Sequence, residues 1–334
     1  MSSSNKVLII QTAFLGDAIL ISSLLEKIRL ESPATAIHLL VRKGNESIFQ
    51  AYPHKNLVKV WAYDKKQKWD SWRSLQTDLK AEHFDQVFVA QRFFGMGLLS
   101  LSIGAKRVTG FDKNPLSWFF TERVSHEWGT GKHETERNTA LLSSWLGPKV
   151  YKPFLSLPGD NILSVEDYIC ISPGSVWETK RTPVRVWIDF IKHLPKTQPV
   201  VLMGAPNEVY LAEEIASACP ESKIINEAGK HGLVDAIRIY QHSLMSYVND
   251  SGPMHICSAV DTPTVAVFCS TIPAFGFGPL ASWNRIVEVP DLVCRPCGDH
   301  GKKSCPLAHY ACGNQITGNQ LFRKYEELLA ARSE

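Results

Sequence analysis

The chain has 334 residues, 44% of them hydrophobic and 21% charged. That is ordinary globular composition, and the length suits two domains better than one. The formal net charge of +3 gives no ground for expecting a nucleic-acid partner.

The amino terminus passes from Met1-Ser-Ser-Ser-Asn-Lys6 straight into the apolar run Val7 to Ile10, with no h-region of signal-peptide length, so a cytoplasmic protein is expected. Thr262 to Asn284 carries no charge, but Pro263, Pro273, Gly276, Gly278 and Pro279 would repeatedly break a helix in lipid. It reads as a strand followed by an irregular loop.

Short apolar strands alternate with amphipathic helices through the first half. Strands are expected at Lys6 to Thr12, Ala36 to Val41, Leu57 to Trp61, Gln86 to Ala90 and Arg107 to Gly110. Apolar residues at 18, 21, 24, 25 and 28 predict a helix over Ala18 to Leu30. Phe111 to Arg137 breaks the rhythm. Asn138 to Leu146 resumes as a helix, stopped by Gly147-Pro148. Tyr151 to Asn161, with Pro153, Pro158 and Gly159, reads as a linker.

The second half repeats the pattern. Strands are expected at Tyr168 to Ser172, Val200 to Gly204, Lys223 to Asn226, Leu244 to Asn249 and Thr264 to Cys269. Helices are expected at Val184 to Leu194, Glu208 to Ala218, Leu233 to His242 and Pro253 to Val260. Strand–helix alternation implies right-handed βαβ units and parallel sheets covered on both faces. The expected architecture is therefore α/β, two facing Rossmann-like doubly wound domains spanning 1–157 and 158–334. A ligand cleft is expected at the carboxyl ends of their strands.

Charge divides unevenly between these halves. Residues 1–157 hold 21 Lys/Arg against 14 Asp/Glu, and the remainder 15 against 19. A first half at +7 suits an anionic partner, although a chance imbalance of solvated charges fits equally well.

Three segments could carry chemistry. The first strand leads into Thr12-Ala-Phe-Leu-Gly16-Asp17-Ala, where a dinucleotide enzyme would carry its Gly-rich fingerprint; only Gly16 is present, which disfavours a nicotinamide-dependent oxidoreductase. Asp17 either projects a carboxylate into the cleft or caps the helix. Ser172-Pro-Gly-Ser175 through Lys180-Arg181-Thr-Pro183 follows a strand end, so Ser175, Lys180 and Arg181 could grip a diphosphate or form a solvated basic turn. Asn249-Asp250-Ser251-Gly252-Pro253-Met-His255 opens a helix with proline in its first turn. Free amides at Ser251 and Gly252 suit an anion, Asp250 a sugar hydroxyl, and His255 a phosphate. Asp-Ser-Gly is also a common turn.

Strand-x3-Gly-Asp-Ala, Pro-Gly-Ser-x4-Lys-Arg-x-Pro and Asp-Ser-Gly-x2-His together resemble the glycosyltransferase family that includes the bacterial ADP-heptose:lipopolysaccharide heptosyltransferases. The resemblance runs over nearly the whole chain, including Ser100 to Gly110 and Thr262 to Phe268. The tail Cys294-Arg-Pro-Cys297-x7-Cys305-Pro-Leu-Ala-His309-x2-Cys312 looks most like the heptosyltransferase II branch. The resemblance implies an inverting GT-B enzyme without a cofactor, with Asp17 as general base, Lys180 on the nucleotide diphosphate and Asp250 to His255 on the sugar nucleotide. Gly16 and Arg92 would lie on the acceptor side. The implied partners are ADP-heptose or a related nucleotide sugar and an anionic lipopolysaccharide core acceptor. The loop Ser175 to Thr179 departs from the family pattern, as does Pro206, which replaces a ribose-binding acidic residue of some members. Another nucleotide sugar therefore remains an alternative donor.

The chain has no Asp-x-Asp motif for a divalent cation, consistent with metal-free displacement. Cys294, Cys297, Cys305 and Cys312 fit no standard paired zinc spacing, leaving structural zinc and reduced thiols as alternatives. A catalytic role for that segment is not expected, because it is distant in sequence from the three motifs. Cys170, Cys219, Cys257 and Cys269 read as small buried hydrophobes. Two basic, aromatic segments either make peripheral contact with the inner membrane or pack their rings into the core beneath ordinary surface lysines: Lys55 to Arg73, with Trp61, Tyr63, Trp69 and Trp72, and Trp118-Phe119-Phe120 between Lys113 and Arg123.

Overall fold

The computed structural model describes residues 5–66 and 68–333; the side chains of Lys68, Trp69, Ser71 and Ser333 lie outside the described residues. The chain divides into two compact units, Met1–Pro158 and Gly159–Glu334.

In the first unit β1 (Lys6–Gln11), β2 (Ala36–Arg42), β3 (Leu57–Tyr63), β4 (Gln86–Val89), β5 (Arg107–Phe111) and β6 (Glu122–Val124) form one parallel sheet in the order β3-β2-β1-β4-β5-β6. In the second, β7 (Ile169–Ser172), β8 (Val200–Leu202), β9 (Ile224–Asn226), β10 (Met245–Asn249), β11 (Thr264–Phe268) and β12 (Asn284–Glu288) form another in the order β12-β11-β10-β7-β8-β9. Numbered within its unit, each order is 3-2-1-4-5-6, the doubly wound arrangement. Val7 to Ile10 and all of β7, β10 and β11 are buried. An uninterrupted apolar run stays buried only in a parallel strand covered on both faces.

The chain reverses direction across the sheet between β1 and β4, and again between β7 and β10. Loops leaving the carboxyl ends of these pairs flank a crevice where such sheets bind ligands. Asp17 follows β1 and Arg92 follows β4; Lys180 follows β7 and Asp250 follows β10. The topology thus brings the candidate residues of each unit to its own switch point.

Several boundaries differ from the sequence reading. The helix expected from Ala18 starts at Leu15 and breaks at Ile21 into Leu15–Leu20 and Ser22–Glu31. The helix expected over Asn138 to Leu146 is two, Glu134–Ala140 and Ser143–Leu146; the first begins earlier because His133 caps it, accepting from the Thr135 amide. β6 and β12 went unrecognised. Both are edge strands, paired on one side and carrying charges, so neither shows a continuous apolar signature.

Helix Val184–His193 buries Val186, Trp187, Phe190 and Ile191 against the second sheet, and the terminal helix Gly318–Ser333 adds Leu321, Tyr325 and Leu328 to that core. The two helices meet at Gly318, whose amide donates to Asp189 Oδ2 at 2.8 Å. A Cβ on Gly318 would run into the backbone of Asp189 and Phe190. Gly318→Ala is expected to destabilise the second unit by about 1–3 kcal/mol through overpacking, measured by urea titration of the full chain. An unchanged midpoint would contradict this helix contact.

Candidate active site

Asp17 is the third residue of helix Leu15–Leu20. The cap position belongs to Phe14, which makes no side-chain capping bond. The carboxylate is therefore not a cap residue, and its surroundings are those of a tuned acid. Its pKa is raised from 3.8 to about 6, first by burial and then by the negative charge of Glu134; backbone amides of Asp17 and Phe14 and the Arg92 guanidinium pull the other way.

Glu134 stays charged despite its burial. Against the desolvation cost of burial, the neighbouring His126 and the positive Arg137 hold its pKa below the usual value. Arg137 Nε donates to Glu134 Oε2 at 2.7 Å, and His126 Nε2 lies 3.8 Å from the same oxygen. Trp128 stacks on His126 at 6.3 Å, with the guanidinium carbons of Arg92 and Arg137 5.8 and 5.2 Å from its ring centre. Lys65 also feels Asp17; burial and Arg42 lower its pKa, whereas Asp17 raises it. This basic and aromatic surround can accept an anionic group beside a carboxylate able to take a proton. The sequence reading missed Glu134, His126, Arg137 and Trp128, because their segment lacks the strand–helix period that flags a sheet end.

In the second unit, Lys180 ends the short 3₁₀ turn Glu178–Lys180 and its Nζ lies 2.7 Å from Asp250 Oδ2. The Thr271 hydroxyl donates to that same oxygen at 2.6 Å. Lysine has three donors, so this pair leaves two for an incoming anion. Ser251 precedes helix Gly252–Ala259, with Pro253 in the first turn, leaving early amides directed outward. His255 is buried one turn in, its ring edge-on to Phe277 at 6.2 Å.

Ser175 and Arg181 have different surroundings. Ser175 is buried. Arg181 Nε donates to the Ser175 carbonyl at 2.8 Å and Nη1 to the Tyr210 hydroxyl at 3.0 Å, so its guanidinium braces the loop. Asn249, which the sequence reading passed over beside Asp250, holds this loop to β10. Its amide oxygen accepts from Thr182 N and Oγ1, and its nitrogen donates to the carbonyls of Pro173 and Gly174. A buried Asn at a strand end was its only sequence signal.

The cysteine segment packs against the Lys180 turn despite its distance in sequence, so that distance is no argument for keeping it away from the site. The Lys302 carbonyl accepts from Thr179 N and Oγ1 and the Lys302 amide donates to Thr179 Oγ1, while Cys297 N donates to the Ser270 carbonyl, next to Thr271. The Tyr310 hydroxyl is shared among the carbonyls of Glu178, Thr179 and Arg181. Cys312 is buried; Cys294, Cys297 and Cys305 are partly exposed. Among the described residues, no group of three or more His, Cys, Asp or Glu side chains is placed to hold a metal ion. Cys170, Cys219, Cys257 and Cys269 are buried, as expected. Tyr310→Phe is expected to raise the nucleotide-sugar KM about 3–10-fold with a smaller change in kcat, by loosening the Lys180 turn; steady-state kinetics on the full chain decide it. An unchanged KM would mean that the turn holds without the tail.

No helix among the described residues is long and apolar enough to cross a membrane. Of the two candidate membrane segments, Trp61 and Tyr63 of the first and Phe120 of the second take the core-packing alternative: all three are buried, and Trp61 Nε1 donates to His38. The alternating β3 pattern turns Trp61 and Tyr63 inward, so they cannot meet a bilayer.

Comparison with known proteins places this architecture. The chain is 24% identical to lipopolysaccharide heptosyltransferase 1 of Pseudomonas aeruginosa over 323 residues, covering 90% of this chain and 87% of that protein. It is 23% identical to lipooligosaccharide heptosyltransferase 2 of Campylobacter jejuni, covering 97% and 99%. Among solved structures, ADP-heptose LPS heptosyltransferase II of E. coli superposes with a TM-score of 0.82 at 20% identity, covering 98% of this chain and 100% of that one. The family 9 glycosyl transferase of Veillonella parvula gives 0.86 at 20% identity, covering 99% of each. The fold is GT-B, built of two Rossmann-like units. Glycosyltransferase family 9 (heptosyltransferase) matches residues 72–310, more than half of the sequence, and the chain belongs to that family as a glycosyltransferase.

Proposed function

We propose that the protein transfers a heptose from ADP-heptose to the lipopolysaccharide inner core, inverting the anomeric centre. Transfer requires an acceptor hydroxyl to displace a nucleoside diphosphate from the anomeric carbon. A base on the face opposite the leaving group takes the hydroxyl proton, and attack from that face inverts the centre. Asp17 is the base in this reading. Lys180 and the first amides of helix Gly252–Ala259 neutralise charge that builds on the departing phosphates, so no metal ion is required. Asp250, positioned by Lys180 and Thr271, engages sugar hydroxyls, with Ser251, Gly252 and His255 alongside. Ser175 and Arg181 shape the donor loop, while Gly16 and Arg92 border the acceptor. The reaction would proceed in the cytoplasm at the inner face of the inner membrane.

The observation that carries this reading is the carboxylate of Asp17, desolvated and poised with a pKa of about 6 beside a basic, aromatic surround. A base is active when deprotonated, so kcat/KM is expected to rise with pH and level off above its midpoint near pH 6. A flat profile between pH 5 and 8 would contradict the assignment. The donor is tested by mass spectrometry with ADP-heptose and heptose-deficient lipopolysaccharide. A mass gain of one heptose with release of ADP is expected. Transfer only from another nucleotide sugar would overturn the donor.

A further inference from the structure

We infer that the first unit docks on an anionic lipid bilayer through an aromatic rim on the sheet edge that carries Asp17, formed by Phe14, Phe93, Phe94, Trp118 and Phe119. This rests on the proposed acceptor being lipid-anchored and identifies the surface that would reach it.

The rim follows from topology. Phe14 lies just beyond β1, Phe93 and Phe94 beyond β4, and Trp118 and Phe119 beyond β5, three adjacent strands of one parallel sheet. Phe14, Phe93 and Phe94 therefore lie at its carboxyl edge, as does Asp17, and Trp118 follows Ser117, whose hydroxyl donates at 3.1 Å to the carbonyl of Asp112, the first residue past β5. Phe14, Phe93, Phe94, Trp118 and Phe119 are 63%, 61%, 53%, 79% and 71% exposed, in that order. Asn114 ties two of the loops together, its side chain donating to the Phe93 and Gln91 carbonyls at 3.0 and 3.3 Å and accepting from the Leu116 amide. The Trp118 turn is thus fixed beside Phe93. Exposed rings held by a rigid backbone cost little ordering entropy on insertion.

Charge identifies the occupant. Arg42 lies 5.6 Å from the Phe14 ring centre, Lys65 5.8 Å from Phe93, and Arg123 4.0 Å from Trp118. Lys66, Arg92 and Lys113 are exposed nearby in sequence. Aromatic rings paired with cations match the headgroup layer of an anionic bilayer, where rings enter the interface and ammonium or guanidinium groups meet phosphate. Each basic group near such a surface contributes about fivefold to partitioning. An apolar protein partner would not need these cations.

The test is sedimentation of the full chain with phosphatidylglycerol-containing vesicles and with pure phosphatidylcholine vesicles, at low and high salt. Wild type is expected to pellet with the anionic vesicles in a salt-sensitive manner and to remain in solution with the neutral ones. Trp118→Ser/Phe119→Ser is expected to lose at least tenfold in partitioning, and Lys113→Glu about fivefold or more. Val58→Ser, at an exposed position on β3, serves as the control and is expected to bind like wild type. Equal melting temperatures establish that the variants fold. Equal, negligible pelleting of wild type with both vesicles, or a double variant that binds like wild type, would overturn the proposal. Transfer to a delipidated core oligosaccharide, measured in parallel, separates the two readings. Vesicle binding without transfer would overturn the acceptor assignment but leave the rim; transfer without vesicle binding would overturn the rim alone.

Discussion

Asp17→Asn is expected to lower kcat by about a thousandfold or more while making the protein more stable at neutral pH. General-base catalysis contributes about 10²–10⁴-fold, and Asn cannot take a proton. The stability effect follows from linkage. Burial raises the Asp17 pKa in the folded protein from 3.8 to about 6, so the folded state holds more protons than the unfolded state between those values. Stability contributed by this group falls as pH rises through that window. Above it, wild type carries a desolvated carboxylate and the Asn variant does not. The variant should gain on the order of 1–3 kcal/mol at pH 8, and the gain should vanish below about pH 4, where both side chains are neutral. Thermal melts at pH 4, 6 and 8 beside turnover assays measure both effects. Wild-type turnover in the variant would remove Asp17 from the chemistry, and a loss of stability at pH 8 would contradict its desolvated environment.

Lys180→Ala is expected to weaken nucleotide-sugar binding by roughly 10–150-fold, corresponding to about 1.5–3 kcal/mol for a charge-assisted bond to phosphate. It also leaves Asp250, which is buried, with the Thr271 hydroxyl on one oxygen and no countercharge from Lys180. Breaking such a pair from one side destabilises the remaining charge. A double variant, Lys180→Ala with Asp250→Asn, separates these effects: it should recover melting temperature without recovering affinity. Calorimetry with ADP provides the measurement. Unchanged ADP affinity in Lys180→Ala would mean that the lysine serves Asp250 alone.

The central strands were legible from sequence because burial on both faces demands continuous apolar runs, as in Val7-Leu-Ile-Ile10. Edge strands β6 and β12 were not, since one free side tolerates Glu122, Arg123 and Arg285. Asp17, Lys180 and Asp250 stand out as candidates because they follow strand ends at the two switch points, a position readable from alternation alone. The surround that tunes Asp17 could not be read that way. Glu134, His126 and Arg137 come from an aperiodic stretch, and their effect depends on distances that only folding creates. Tyr310 and Thr271 show the same limit, bracing Lys180 and Asp250 from far along the chain. Exposure divided the aromatic segments for the same reason: Trp61 and Trp118 look alike in sequence, but one points into the core and the other into solvent.

The most direct test of the account is the anomeric configuration of the product, measured by NMR on a heptose-deficient core oligosaccharide incubated with ADP-heptose of known anomer. Single displacement, with Asp17 deprotonating the acceptor, predicts a new linkage of the opposite anomeric configuration to the donor and loss of product in the Asp17→Asn variant. Retained configuration, or product formed at the wild-type rate by that variant, would contradict it.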